Sequence, residues 1–257
     1  MSGRLPVVLA LVLGLGFSSC HKPEANVAFR FSFSVGQDTL LQDTLCYHNA
    51  AGNLFSVTDV QYFISGLVLE KEDGNLYTIQ TDDGIHYVDA DMPATLNWTL
   101  QSDHLPAGKY TKVTFVFGLA PAYNTTLYFP NPPENSMSWP EVLGGGYHHL
   151  KMNGKCMCPE LSQNPIPFAM HLGTGQIYQD QQIVGFVDNT FAISLPLSDQ
   201  ILSDEVMNVI HLNMDVAEWF QNPEIYDFVQ DGTTTMQNQA SMEKLVANGQ
   251  TVFSVSK

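Results

Sequence analysis

One segment of the chain concentrates the side chains best suited to bind a soft metal ion. Residues 137–175 read MSWPEVLGGGYHHLKMNGKCMCPELSQNPIPFAMHLGTG and hold three of the eight histidines, four of the ten methionines and the pair Cys156 and Cys158. Imidazole and sulfur donors are those that Cu(I) prefers, and only two carboxylates accompany them. The composition of this segment predicts a site for copper or a related metal.

Three predicted strands, residues 147–152, 166–172 and 208–216, could each present one histidine to a common site. Strand alternation places His171 and His211 opposite apolar neighbours, and His148 on the same face as Leu150 and Met152. Alternation also puts His149 on the other face from His148. A lone strand histidine is more often a hydrogen-bonded residue than a ligand, and methionine and tryptophan more often fill cores. With that alternative open, the candidate metal ligands are His148, His171 and His211, with Met137 or Trp139 near them.

The pattern around these strands is that of an all-β protein. Phe29, Phe31 and Phe33 alternate with polar residues, which is typical of a half-buried strand. Many further short strands are separated by turn residues, and residues 121–140, with five prolines, form a predicted long loop. The fold class is therefore an antiparallel β-sandwich, Greek-key-like, with long loops and one or two short helices.

Some of the pairings between these strands can also be predicted. Residues 40–47 are expected to pair with the first strand, and residues 182–188 with 190–195 in a hairpin that turns at Asp188-Asn189. The helices are expected at residues 217–220 and 236–247, the second ended by Asn248-Gly249.

The N-terminus has the features of an export signal. Arg4 precedes an apolar run over residues 5–17, and Phe17-Ser18-Ser19-Cys20 resembles a bacterial lipobox, which predicts lipidation of Cys20. An ordinary signal peptide cut near Ser19 is the alternative. We predict a signal peptide at 1–19, a tether at 20–26 and one domain at 27–257. The protein is expected in a bacterial cell envelope, facing the periplasm or the surface, with the lipid as its only contact with the membrane.

The charge of the chain excludes one class of partner. Its 26 acidic and 10 basic residues give a net charge of −16, and removal of Arg4 with the signal would leave about −17. Such a surface repels phosphate backbones, so we expect no nucleic-acid partner. The sequence also has no Gly-x-Ser-x-Gly, phosphate-loop or His-Glu-x-x-His motif, and we do not expect an enzyme.

Three cysteines remain if Cys20 is lipidated. An odd number in an oxidising compartment leaves at least one thiol free, metal-bound or paired between chains. The interpretations are a disulfide from Cys46 to Cys156 or Cys158, a Cys-x-Cys metal pair, or unpaired thiols, and the disulfide is preferred.

Three groups of residues together resemble the pattern of a known family. The first is Val60 to Ser65 followed by Leu67 to Leu69, and the second is Phe117 to Pro121 with Asn124 and Met137-Ser138-Trp139. The third is Gly146-Tyr147-His148 with Leu150-Lys151 and Phe168 to Gly173. In order and spacing they resemble the MbnP-like proteins, the extracytoplasmic copper-binding family named for methanobactin operons. The likeness spans roughly Val27 to Val255.

This resemblance implies a β-sandwich with a copper site near the long loop. In the relatives it points to, copper lies between histidines and a tryptophan oxidised to kynurenine by a di-haem peroxidase-like partner. His171 and Trp139 fall in matching motifs, His148 lies in the Gly-Tyr-x segment, and His211 matches only by its place in a late strand. Pro140 stands where a second tryptophan is often found, and the Cys156–Cys158 loop is additional; both departures bear on the kynurenine chemistry.

A function of another class also fits the sequence. The aromatic residues of the long loop, between Tyr123 and Trp139, could bind a glycan or a protein partner, which would make the chain a non-catalytic envelope lipoprotein without a metal. Exposed loop aromatics, and wide separation of His148 from His171, would favour that alternative.

Overall fold

The fold was analysed in a computed structural model that describes residues 23–101 and 103–256, apart from the side chain of residue 199. The described part contains fifteen strands: β1 Asn26–Val35, β2 Asp38–Thr39, β3 Tyr47–His48, β4 Leu54–Lys71, β5 Leu76–Thr78, β6 His86–Asp89, β7 Asn97–Thr99, β8 Gly108–Phe117, β9 Leu150–Met157, β10 Ile166–Leu172, β11 Gly175–Gln179, β12 Gln182–Val187, β13 Phe191–Leu202, β14 Met207–Asp215 and β15 Phe253–Ser256. Its helices are α1 at Gln239–Asn248 and short 3-10 segments at Thr81–Gly84, Pro93–Leu96, Glu134–Met137, Glu141–Leu143 and Val216–Phe220.

The strands form two large sheets and one small one. The first sheet has the order β15-β14-β1-β2, with β7 also paired to β1, and its β1–β14 pair is parallel. The second has the order β10-β9-β4-β8-β13 and is antiparallel, with β3, β5 and β6 added along the long strand β4. Strands β11 and β12 make a separate two-stranded sheet. The predicted all-β class is confirmed.

The two large sheets pack face to face around an aromatic core. Phe31 and Phe33 of β1 and Phe253 of β15 all place their rings within 6.5 Å of the Tyr62 ring of β4. The predicted alternation along β1 is confirmed, because its phenylalanines are buried while Arg30 and the serines between them are exposed or half-buried. Burial of this apolar surface is the main force that holds the sheets together.

A second, smaller cluster lies on the outer face of the second sheet. The long loop before β9 folds over this face, and its aromatic residues turn inward rather than to solvent. Phe129 stacks on Phe63 of β4 with ring centroids 5.4 Å apart, and Tyr147 meets both rings edge-on. Met137 is fully buried in the same cluster. The loop is thereby fixed against the sheet that carries the candidate ligands.

Two predicted pairings are wrong. Most of residues 40–47 form a loop, in which the Leu41 amide donates to the Tyr47 hydroxyl at 2.6 Å. The hairpin expected from 182–188 and 190–195 does not form, because β12 pairs with β11 and β13 with β8. Asn189 does not make the expected turn. Its buried side-chain amide donates to the Gly173 carbonyl at 2.9 Å. This hydrogen bond fixes the segment that connects β12 to β13.

The structure places two boundaries differently from the prediction, namely the start of the domain and the start of the late helix. Residues predicted to be a tether already pair with the domain, since Ala25 donates to the Leu105 carbonyl and Ala107 to the Pro23 carbonyl. Cys20 and its predicted lipid lie outside the described residues. The late helix α1 begins after Asn238, whose side chain accepts from the Ser241 amide. In the part of the chain that the structure describes, no helix is long and apolar enough to cross a membrane.

Candidate metal centre

His171 is presented by β10 on the outer face of the second sheet. Phe168, Met170 and Leu172 alternate with it and are buried in the core, so the imidazole must point the other way. The edge of β10 is covered by Thr235, whose hydroxyl accepts from the His171 amide at 2.7 Å and donates to the His171 carbonyl at 2.6 Å. Both backbone polar groups of His171, its amide and its carbonyl, are therefore fixed by hydrogen bonds to Thr235.

His148 reaches the same place from a turn rather than from a strand, because β9 begins only at Leu150. The three glycines at 144–146 all have positive φ, which non-glycine residues rarely adopt. A Cβ on Gly146 would collide with the side chain of Asn124, whose oxygen accepts from the Tyr147 amide. The glycines thus allow the tight approach that delivers His148.

The two imidazoles meet next to a tryptophan. The ring centroids of His148 and His171 are 4.9 Å apart with their planes at 84°, and the His148 ring lies 4.7 Å from the ring of Trp139. Trp139 is 2% exposed and donates from Nε1 to the Leu143 carbonyl at 3.2 Å. A Cβ on Gly173 would come within 2.6 Å of the indole, so this glycine permits the close packing.

Hydrogen bonds fix one nitrogen of each imidazole as a donor. The Met137 carbonyl lies 2.9 Å from His148 Nδ1 and can only accept, which leaves His148 Nε2 without a proton in the neutral ring. His171 Nε2 lies 2.9 Å from Asn153 Oδ1. The Asn153 amide nitrogen donates to Asp59 at 3.4 Å, which sets the oxygen toward the histidine. His171 Nδ1 is therefore the unprotonated nitrogen.

A thioether faces that nitrogen. Met236 Sδ lies 3.4 Å from His171 Nδ1, on the segment that follows Thr235. Met236 and Asn153 were not among the predicted site residues. The sequence contains no local signal for either, because Met236 is 65 residues from His171 and Asn153 shares a strand with several other polar side chains.

Burial keeps both imidazoles neutral. Desolvation lowers the pKa of His148 to about 4, and the cation of Lys151 acts in the same direction. Desolvation also lowers the pKa of His171 to about 3, with smaller contributions from His148 and Lys151. Lys151 pairs with His171 across β9 and β10. At neutral pH each ring therefore has a free lone pair, the form in which imidazole binds metals.

The donor set fits a soft ion. Two neutral nitrogens and a thioether are ligands that suit Cu(I), and the hydrogen bonds to Met137 and Asn153 would orient the rings. Among the residues that the structure describes, no group of three or more His, Cys, Asp or Glu side chains could hold a metal. The side chains at this place that could ligate such an ion are those of His148, His171 and Met236.

The third predicted ligand lies elsewhere, so the predicted convergence of three histidines is wrong. Ile210, Leu212 and Met214 of β14 face the core, which turns His211 outward from the first sheet. His171 faces outward from the second sheet, and packed sheets are about 10 Å apart. The two histidines are on opposite outer faces of the sandwich. His211 lies in register with Arg30 and Ser256 instead.

His149 is separated from His148, as alternation predicts. It is fully buried and packs against Gly118, where an added Cβ would come within 2.6 Å of the ring. Its Nδ1 accepts from the Leu119 amide at 3.4 Å, and its Nε2 has no partner within the described chain. Desolvation lowers the pKa of His149 to about 4.

The preferred disulfide does not form, because Cys46, Cys156 and Cys158 are all free thiols. Tyr47 of β3 and Cys156 of β9 both pair with Phe55, on opposite sides of β4. That arrangement places their backbones about 10 Å apart, beyond the reach of a disulfide. Cys156 and Cys158 are fully buried and interact with each other. They lie on the core side of the sheet, away from the histidine pair.

The structure is an all-β sandwich in which a buried and a half-buried neutral histidine lie beside a tryptophan. The chain belongs to the MbnP family, whose sequence pattern matches residues 24–241. The resemblance predicted from the sequence is confirmed. Its fold is similar to that of MbnP from Methylosinus trichosporium, with 14% identity, 78% of each chain covered and a TM-score of 0.53. At this identity the likeness shows a shared fold. No curated protein matches the sequence.

Proposed function

We propose that this protein is an envelope lipoprotein that binds copper as Cu(I) through His148 and His171, with the Met236 thioether completing the donor set. The observation that carries the proposal is the edge-to-face contact of two neutral imidazoles, 4.9 Å apart, each with one nitrogen committed to a protein acceptor. The remaining nitrogens are unprotonated donors, and a soft sulfur lies beside one of them.

Two observations weigh against the non-metal alternative. Wide separation of His148 from His171 would favour the alternative, whereas their rings are in contact. Exposed aromatic residues in the long loop would also favour it. Tyr123, Tyr128 and Phe129 are only partly exposed, since they pack on the cluster around Phe63, and Trp139 is buried.

Oxidation of Trp139 to kynurenine by a di-haem peroxidase-like partner is a second part of the proposal, and it rests on membership of the family. Kynurenine carries an aryl amine and a ketone oxygen, both of which can act as donors. The Trp139 ring lies 4.7 Å from that of His148, so a modified side chain would border the proposed metal centre. Mass spectrometry of the Trp139 peptide, from cells with and without the partner gene, tests this part.

The metal proposal is tested by Cu(I) titration against a competing chelator. His148→Ala and His171→Ala should each weaken binding by about 100-fold or more, because each removes one of three donors. His211→Ala is the matched control, since it removes a strand histidine on the opposite outer face. Equal affinity of all three variants and the wild type would contradict the proposal.

A further inference from the structure

The β11–β12 hairpin exposes an unusual amount of apolar surface. Ile177, Tyr178, Val184 and Phe186 are all large apolar residues with exposed fractions between 43% and 58%. They lie within ten consecutive residues of a hairpin that forms its own two-stranded sheet. Scattered exposed apolar residues are common, but a concentrated group marks an interaction surface.

Both faces of the hairpin carry these side chains. Phe186 pairs with Gln176 and Ile177 with Gly185, so alternation puts Phe186 and Ile177 on opposite faces. Val184 lies at the bulge between the pairs Ile177–Gly185 and Tyr178–Ile183 and is exposed.

Other structure covers the hairpin only in part: Ile183 packs against the main core and Gly175 and Gln176 are buried, whereas the exposed side chains have no cover within the described chain. A two-stranded hairpin is marginally stable in water unless it packs on other structure. A molecule that covered these side chains would stabilise the hairpin, and burial of their apolar surface would contribute to its binding affinity.

The base of the hairpin is joined to the candidate metal centre. The Leu143 carbonyl accepts from the Trp139 indole at 3.2 Å and from the Gln176 amide at 2.8 Å, so one carbonyl links the two. Two residues further along β11, the Tyr178 hydroxyl donates to Oε1 of Gln237, the residue that follows Met236, at 3.5 Å. A molecule bound to the hairpin would therefore lie close to Trp139 and the histidine pair.

The charges around the hairpin indicate what kind of molecule would bind. Asp180 lies in its turn and Asp188 follows its second strand, while no lysine or arginine occurs between Lys155 and Lys244. Asp188 and Phe186 also border a recess of about 290 Å³ at the hairpin base. A second copy of this chain, with a net charge of −16, would be repelled, and so would anionic lipid. A cationic protein surface is attracted.

We infer that the β11–β12 hairpin is the docking surface for a protein partner whose apolar contact is bordered by lysine and arginine. Ile177, Val184 and Phe186 supply the apolar contact, and Asp180 and Asp188 pair with the partner's cations. The recess beside Asp188 is large enough to receive one of them. This inference does not depend on copper binding, because it rests on the hairpin surface alone.

The first test is site-specific photo-crosslinking of the full chain in its own cells. A benzoylphenylalanine placed at Val184 should crosslink to one protein, identified by mass spectrometry, and the same residue at Ile201 should not. Ile201 is a matched control, because it is 67% exposed and lies at the far end of β13. Crosslinking to lipid, to a second copy or to nothing would overturn the inference.

The second test uses the identified protein after purification. Ile177→Ser/Val184→Ser should weaken its binding about tenfold or more, whereas Ile201→Ser should leave it unchanged. Affinity should fall as salt rises, as expected for paired charges. Both variants should keep the copper affinity of the wild type, so a failure of docking and a failure of metal binding remain distinguishable. Unchanged partner affinity in the double variant would contradict the inference.

Discussion

The imidazole of His148 lies edge-to-face against that of His171, with centroids 4.9 Å apart and planes at 84°. The two residues come from a glycine-rich turn and from a strand, and the outer face of the second sheet brings them together. Each ring gives one N–H to a protein acceptor, the Met137 carbonyl or the Asn153 oxygen. The hydrogen bonds therefore define which nitrogen of each ring would bind a metal.

Removal of the Asn153 amide should loosen His171 and weaken Cu(I) binding. Asn153→Ala deletes the acceptor of His171 Nε2, and loss of such a partner typically costs 10- to 100-fold in metal affinity. Asn213→Ala is the control, because Asn213 is a half-buried strand asparagine that bonds Ser34 on the other sheet. Chelator competition measures both. Equal loss in the two variants would show a general effect on folding instead.

Replacement of the Met236 thioether should change metal preference. Met236→Leu keeps volume and hydrophobicity but removes the soft donor 3.4 Å from His171 Nδ1. We expect weaker Cu(I) binding and little change for Zn²⁺, because thioethers select soft ions. Met92→Leu, at a partly exposed methionine, should change neither. Parallel titrations with the two metals distinguish the outcomes, and an equal shift for both metals would contradict this role.

The metal-free protein should lose stability in mild acid. His148, His149 and His171 have pKa values of about 4, 4 and 3 in the folded chain, below the usual value near 6.5. Their stability contribution is complete above pH 6.5 and falls as the pH drops toward the folded values, since the unfolded chain then binds more protons. Between pH 7 and pH 5 we expect a loss of about 1 to 2 kcal/mol per histidine.

Urea unfolding at pH 7, 6 and 5 measures this dependence. The window stays above the range in which most carboxylates titrate, so the histidines dominate the slope. A free energy of unfolding that is constant from pH 7 to pH 5 would mean that these imidazoles are not buried in neutral form.

The cysteines should behave as free thiols of two kinds. Cys46 is exposed, whereas Cys156 and Cys158 are fully buried, and burial raises the pKa of Cys156 to about 12. In a Cys20→Ser variant, Cys46 should react with maleimide in the native protein and the other two only after unfolding. Peptide mapping identifies each site. A single reactive thiol after unfolding would instead indicate a disulfide.

Much of the fold follows from local patterns in the sequence. Strict alternation along β1 and β10 predicts which side chains enter the core, and the Asn248-Gly249 signal locates the C-terminal end of α1, although the helix begins three residues later than predicted. Alternation separates His148 from His149, but it wrongly places His148 with Leu150 and Met152. Those two side chains face the core, whereas His148 meets His171 on the outer face, because the chain before Leu150 is not a strand.

The prediction that His211 joins the site failed because alternation gives the face of a strand but not the sheet to which the strand belongs. His211 and His171 each point away from apolar neighbours, yet they leave opposite sides of the sandwich. Met236 was missed for a related reason. Its approach to His171 depends on Thr235 pairing with the edge of β10, a long-range contact without a sequence pattern.

The central claim is that His148, His171 and Met236 together hold a copper ion, and anomalous diffraction tests it most directly. Crystals of the Cu(I)-loaded protein would be measured on both sides of the copper absorption edge. The account predicts one strong anomalous peak bonded to His148 Nε2 and His171 Nδ1, with Met236 Sδ beside it. A peak at Cys156 and Cys158 or at His211, with none at the histidine pair, would contradict it.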